Sequence, residues 1–196
     1  MISKLAKSIA HFFMVQNITE ESKEVIYAYG MELLISDVLN TIIVLLIALF
    51  SHMLPAVVVF IAVFMGLRQF VGGFHANSHL SCMFTLVMVM MVFSYGICNV
   101  SGHITPIFSI SFIMIALPII LCIAPVPHPN KPMSEEKSVK LRKRSCILAV
   151  TLSVVTIALL VFQYQKLSLY VSSGMLLSAI MALLGHFLNR GDNSKR

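Results

Sequence analysis

Along this chain, long apolar runs alternate with short polar connections. The runs fall at 28–50, 54–67, 80–99, 107–124, 146–162 and 169–188. A helix needs roughly 20 apolar residues to cross the hydrocarbon of a bilayer. The pattern therefore predicts an all-α integral membrane protein of about six transmembrane helices. The second run is short of a full crossing, so either it starts nearer His52 or the bilayer thins there.

Residues 1–25 read differently. Ile2, Leu5, Ile9, Phe12 and Phe13 recur at near-helical spacing, with Lys4, Lys7 and His11 between them. Such a segment suits an amphipathic helix lying in the membrane interface, its lysines near anionic lipid. It lacks the long apolar core and small-residue cleavage site of a signal peptide, so it is expected to be retained. Thr19-Glu20-Glu21-Ser22 then reads as the start of the next helix, with a capping hydroxyl and an acidic first turn.

The first span is not purely apolar. Glu32, Ser36 and Asn40 recur every four residues and share one face, with Asp37 beside it. Charge facing lipid is costly, so this face is expected to look inward. Two readings remain open: the polar groups hold helices together, or some of them belong to a functional site.

Composition agrees with the pattern. Of 196 residues, 58% are hydrophobic and 11% charged, where a soluble domain carries about 25% charged residues. That excludes an ordinary soluble globule. Trp is absent, so Tyr, Lys and Arg must serve as interfacial anchors. The formal net charge of +6 is concentrated in Lys131, Lys137, Lys140, Arg142, Lys143 and Arg144, opposed there only by Glu135 and Glu136. The connections near 51–54, 101–106 and 163–167 hold one basic residue, Lys166. The positive-inside rule then places both termini, the Pro-rich and basic loop 125–145 and the 68–79 connection on the cytoplasmic side. Residues 1–196 form one polytopic domain in this reading, and the basic loop sets topology rather than binding nucleic acid. The run Ala124-Pro125-Val126-Pro127-His128-Pro129 cannot be helical throughout.

Candidate chemistry is confined to Arg68-Gln69-Phe70-Val71-Gly72-Gly73-Phe74-His75-Ala76-Asn77-Ser78-His79-Leu80-Ser81-Cys82. Three readings compete. In the first, Cys82 is a nucleophile and His75, seven residues earlier, takes its proton to form a thiolate–imidazolium pair. Arg68 would favour the thiolate or bind a carboxylate, and backbone N–H groups around Gly72 and Gly73 would stabilise an oxyanion. In the second, His75, His79 and Cys82 ligate a metal, but no carboxylate lies nearby to complete the set. In the third, the residues are incidental to a connector. No metal or cofactor is expected. Cys98, Cys122 and Cys146 sit in or beside apolar segments without CxxC pairing, so no disulfide framework is expected.

The stretch resembles the AgrB membrane cysteine endopeptidases of Gram-positive quorum sensing. The resemblance rests on Arg68, on Gly72-Gly73-Phe74-His75-Ala76, and on Cys82 seven residues after the histidine. Ala124-Pro125-Val126-Pro127 with Asn130-Lys131-Pro132, and the apparent spans, carry it further. It implies a plasma-membrane enzyme whose cytoplasmic-side site cuts the C-terminal tail from an AgrD-type propeptide. Cys82 would be the nucleophile and His75 the base and acid, with a thioester acyl-enzyme that allows thiolactone or lactone closure. Asp37, Asn77 or Ser78 would orient His75. It also implies a homodimer in the lipid bilayer. Two other functions stay open on the residues: a multi-pass peptide exporter without proteolytic activity, and a metal-dependent membrane hydrolase.

Overall fold

The computed structural model describes residues 2–16, 24–72, 88, 92, 95–96, 100, 103–126 and 135–193. These form α1 (Ile2–Val15), α2 (Glu24–Phe50), α3 (Leu54–Val71), α4 (Thr105–Ile123), α5 (Glu135–Val161) and α6 (Gln165–Asn193). No strand occurs among the described residues. Among the described residues, five segments are long and apolar enough to cross a membrane: Gly30–Phe50, Leu54–Val71, Thr105–Ile123, Glu135–Val161 and Gln165–Phe187. The crossing expected at 80–99 lies largely outside the described residues; positions 88, 92, 95 and 96 within it are helical.

Two boundaries differ from the sequence pattern in ways that bear on the candidate stretch and the basic loop. The helix expected to end at 67 runs on to Val71, because Arg68 stands in its last turn, where a cation complements the negative end of the helix dipole. Of the loop expected over 125–145, residues from Glu135 onward are helical. Glu135 and Glu136 occupy the first turn of α5, where acidic groups favour helix initiation. Lys140 lies 3.4 Å from Glu136, one turn on. Lys137, Lys140, Arg142, Lys143 and Arg144 are all exposed on this extension.

The chain divides into two compact units, Met1–Ser51 with Ala76–Met91 and His52–His75 with Val92–Arg196. In the first, α1 packs against α2. The residues that α1 buries are small, Ala6 and Ala10, while Leu5, Phe12 and Val15 are exposed. On α2, Ser36, Asn40, Val44 and Ala48 are buried at four-residue spacing, and Glu32 is half-buried.

The second unit is organised around α6, which packs against α3, α4 and α5. Two thirds of its apolar window is buried (67%), against 22% for α4 and α5, so α6 is the hub and the others present a face outward. The outward faces are large and apolar: Ile107, Met114, Val154 and Val161 are exposed. The inward faces mix small, hydroxyl-bearing and apolar residues. Thr105, Ser109 and Ala116 are buried on α4, Ser145, Ala149, Ser153 and Thr156 on α5, and Ser168, Ser172, Ser173, Ser178, Ala179 and Ala182 on α6. This distribution fits helices packed in lipid, where association relies on close backbone approach rather than on apolar burial.

The buried hydroxyls of α5 and α6 each bond a carbonyl of their own helix. Ser153 donates to the Ala149 carbonyl at 2.8 Å, Thr156 to Leu152 at 2.8 Å and Ser173 to Leu169 at 2.6 Å. Such back-bonding pairs each of these hydroxyls without requiring a partner from another helix. A glycine stands where α6 meets α3: a Cβ on Gly174 of α6 would lie 3.0 Å from the Phe60 carbonyl oxygen and 3.0 Å from the Val63 side chain on α3.

Candidate functional site

The first part of the candidate stretch closes α3. Phe64, Leu67 and Val71 are fully buried and hold the last two turns against the core of the second unit. Arg68 is half-buried, and its guanidinium carbon lies 5.5 Å from the centroid of the Phe64 ring, one turn earlier. A planar guanidinium over an aromatic face gains electrostatic attraction while staying partly wet. That contact orients the arginine at the helix end.

Gly72 terminates α3. Its N–H donates to the Arg68 carbonyl at 3.0 Å, with φ +75° and ψ −154°. That combination of angles is essentially restricted to glycine. The sequence points to backbone N–H groups around Gly72 and Gly73 as oxyanion donors; in the folded chain the Gly72 N–H is already taken up by Arg68.

The backbone then meets a segment from the far end of α4. Ala124-Pro125-Val126 leaves α4 in extended form, with a cis peptide between Ala124 and Pro125. The Val126 N–H donates to the Val71 carbonyl at 2.9 Å, and Gly72 and Val126 form a parallel β-bridge. A Cβ on Gly72 would stand 2.5 Å from the Val126 carbonyl oxygen. Glycine is therefore demanded twice here, by dihedral angle and by space. Ala124 and Val126 are buried with Val71, Leu67, Ala116, Ile120 and Met175 in one cluster. The sequence marks the proline-rich run as extended, but carries no signal that it returns to the end of α3.

Of the other candidate residues, Gly73, His75, Asn77, Ser78, His79 and Cys82 lie outside the described residues. Asp37 lies on α2, in the first unit. One residue beside it carries an unanticipated feature. Asn40 is 1% exposed, and among the described residues neither its carboxamide oxygen nor its nitrogen has a hydrogen-bond partner. Cys122 and Cys146 are free thiols.

No solved structure matches the chain. A putative AgrB-like protein of Clostridium beijerinckii is 25% identical over 145 residues, covering 72% of this chain and 71% of that protein. The profile of Accessory gene regulator B matches residues 2–182, a range that takes in α1 to α5, most of α6 and the whole candidate stretch. With an all-helical fold, five helices among the described residues long and apolar enough to cross a membrane and nearly its full length matched, the chain belongs to the accessory gene regulator B (AgrB) family.

Proposed function

We propose that this chain is a membrane-embedded cysteine endopeptidase of the agr quorum-sensing system, acting on an AgrD-type propeptide at the cytoplasmic face of the plasma membrane of a Gram-positive bacterium. The observation that carries the reading is the family match over residues 2–182, within which Arg68, Gly72-Gly73-Phe74-His75-Ala76 and Cys82 stand in the family's pattern.

The chemistry follows from those residue types. His75 takes the proton of the Cys82 thiol, since the thiolate is the competent nucleophile. The sulfur attacks the scissile carbonyl, and the tetrahedral intermediate collapses by breaking the C–N bond. His75 returns the proton to the departing amine of the C-terminal tail. A thioester between Cys82 and the new peptide C-terminus remains. A thiol or hydroxyl of the same peptide then displaces Cys82, closing a thiolactone or lactone ring and regenerating the thiolate. Ring closure wins over hydrolysis only where water is scarce and the internal nucleophile is held near, conditions that a bilayer-embedded site favours.

Arg68, ordered over Phe64 at the end of α3, and the exposed cations of α5 are suited to receive the acidic tail of such a precursor. Asp37, Asn77 and Ser78 are the candidates for orienting His75. The functional unit in this reading is a homodimer in the bilayer.

Co-expression of the chain with its precursor tests the reading. Wild type should remove the precursor tail, while Cys82→Ser and His75→Ala should reduce processing by at least about a thousandfold. Undiminished processing by Cys82→Ser would refute it. Normal movement of peptide across the membrane by Cys82→Ser, without any cleavage in wild type, would favour an exporter instead.

A further inference from the structure

We propose that Ala124–Val126 is a positioning strap for the catalytic stretch. The bond from the Val126 N–H to the Val71 carbonyl fixes the point and direction from which the chain leaves α3, three residues before His75. The inference rests on the reading of His75 and Cys82 as the reacting pair.

The last carbonyls of a helix have no partner within it and are usually satisfied by capping turns or water. At the end of α3 the Val71 carbonyl receives an amide from another part of the chain, at 2.9 Å. The strap is itself anchored. Ala124 is 3% and Val126 5% exposed, in the same buried cluster as Ala116 and Ile120 of α4, Ala149 of α5 and Met175, Ala179 and Ala182 of α6. The end of α3 is thereby referenced to the packed core of the unit rather than to a loop. Gly72 completes the arrangement, because any side chain there meets the Val126 carbonyl oxygen, 2.5 Å from the Cβ position.

His75 follows Gly72 by three residues, so in this proposal the direction of departure from α3 sets where the imidazole can stand. A displacement of 1 Å between reacting groups can cost about a hundredfold in rate. Val126 touches no reacting atom in this proposal; it acts through the backbone of Val71 and Gly72.

The test uses the full chain in membranes, with its precursor. Val126→Ala keeps the amide donor and trims the side chain. Replacing Val126 by its α-hydroxy acid, which makes the 125–126 linkage an ester, removes the donor and keeps the shape. Gly72→Ala forces the strap away. Two quantities are read: kcat and KM for tail removal, and the rate at which iodoacetamide alkylates Cys82 in a chain whose Cys98, Cys122 and Cys146 are alanine. Expected are near-normal values for Val126→Ala. The ester and Gly72→Ala should lose about a hundredfold in kcat, with KM changed by less than about threefold and Cys82 alkylation slowed in parallel.

Thermal unfolding separates mispositioning from loss of fold, and the ester, the mildest change, keeps the question answerable if Gly72→Ala does not fold. Full kcat in the ester variant, with Cys82→Ser inactive, would overturn the strap alone. So would a fall in kcat with Cys82 alkylation unchanged. Wild-type processing by Cys82→Ser would instead overturn the underlying assignment of the nucleophile, and the strap with it.

Discussion

The hydroxyl oxygens of Ser109 on α4 and Ser168 on α6 lie 3.1 Å apart, and both residues are fully buried. Ser168 also donates to the Gln165 carbonyl at 2.7 Å. A hydroxyl has one proton, so Ser109 is the donor between the two helices. Polar contacts of this kind in membrane helices contribute about 0.6 kcal/mol on average. A double-mutant cycle with Ser109→Ala and Ser168→Ala, read by denaturant unfolding in detergent, is expected to return a coupling of about that size. Zero coupling would mean that the hydroxyls satisfy themselves within their own helices.

Two helical glycines should respond with opposite sign. At Gly66 of α3 a Cβ meets nothing within 4 Å, whereas at Gly174 it meets Phe60 and Val63 at 3.0 Å. Gly66→Ala should stabilise by up to about 1 kcal/mol, the helix-propensity difference. Gly174→Val should destabilise by about 1–3 kcal/mol, because α3 and α6 must separate. Unfolding midpoints of the two variants decide it.

Asn40 is a strong candidate for a stabilising substitution. Both amide atoms are buried without partners among the described residues, a condition that costs about 1–3 kcal/mol. Asn40→Leu, similar in size and apolar, should match or exceed wild type in thermal stability. A clear loss would show that the carboxamide is hydrogen-bonded in the membrane.

The thiols should divide cleanly. Cys122 is exposed and Cys146 half-buried, both unpaired. With Cys98, Cys122 and Cys146 replaced by alanine, precursor processing should stay within about twofold of wild type, as expected for substitutions outside a site. The variant should still be silenced by iodoacetamide. Resistance to alkylation would implicate one of the removed thiols.

Charge on α5 should act on binding. Reversing Lys137, Lys140 and Lys143 to glutamate removes exposed cations suited to an acidic tail. KM for the precursor is expected to rise about tenfold at low salt while kcat changes little, and the difference should shrink as salt screens the field. Unchanged KM at low salt would assign these cations to topology alone.

The sequence by itself determined the class of fold. Apolar runs near bilayer length admit few structures other than helices, because backbone groups in lipid must pair within their own segment. The stretch from Arg68 to Cys82 stands out in the sequence because polar and reactive residues are rare in a chain with 11% charge, but beyond Gly72 it lies outside the described residues. Periodicity also anticipated that Ser36 and Asn40 face inward, as their burial bears out.

Only the tertiary structure decided where α3 stops and what stops it. Hydropathy falls at Arg68, yet the helix continues to Val71, because the arginine finds Phe64 and a favourable helix end. The pairing of Val126 with Val71, and hence the need for glycine at 72, depends on α6 drawing α3, α4 and α5 together. A backbone hydrogen bond between distant segments leaves no mark in side-chain pattern, so no reading of the residues alone could have found it.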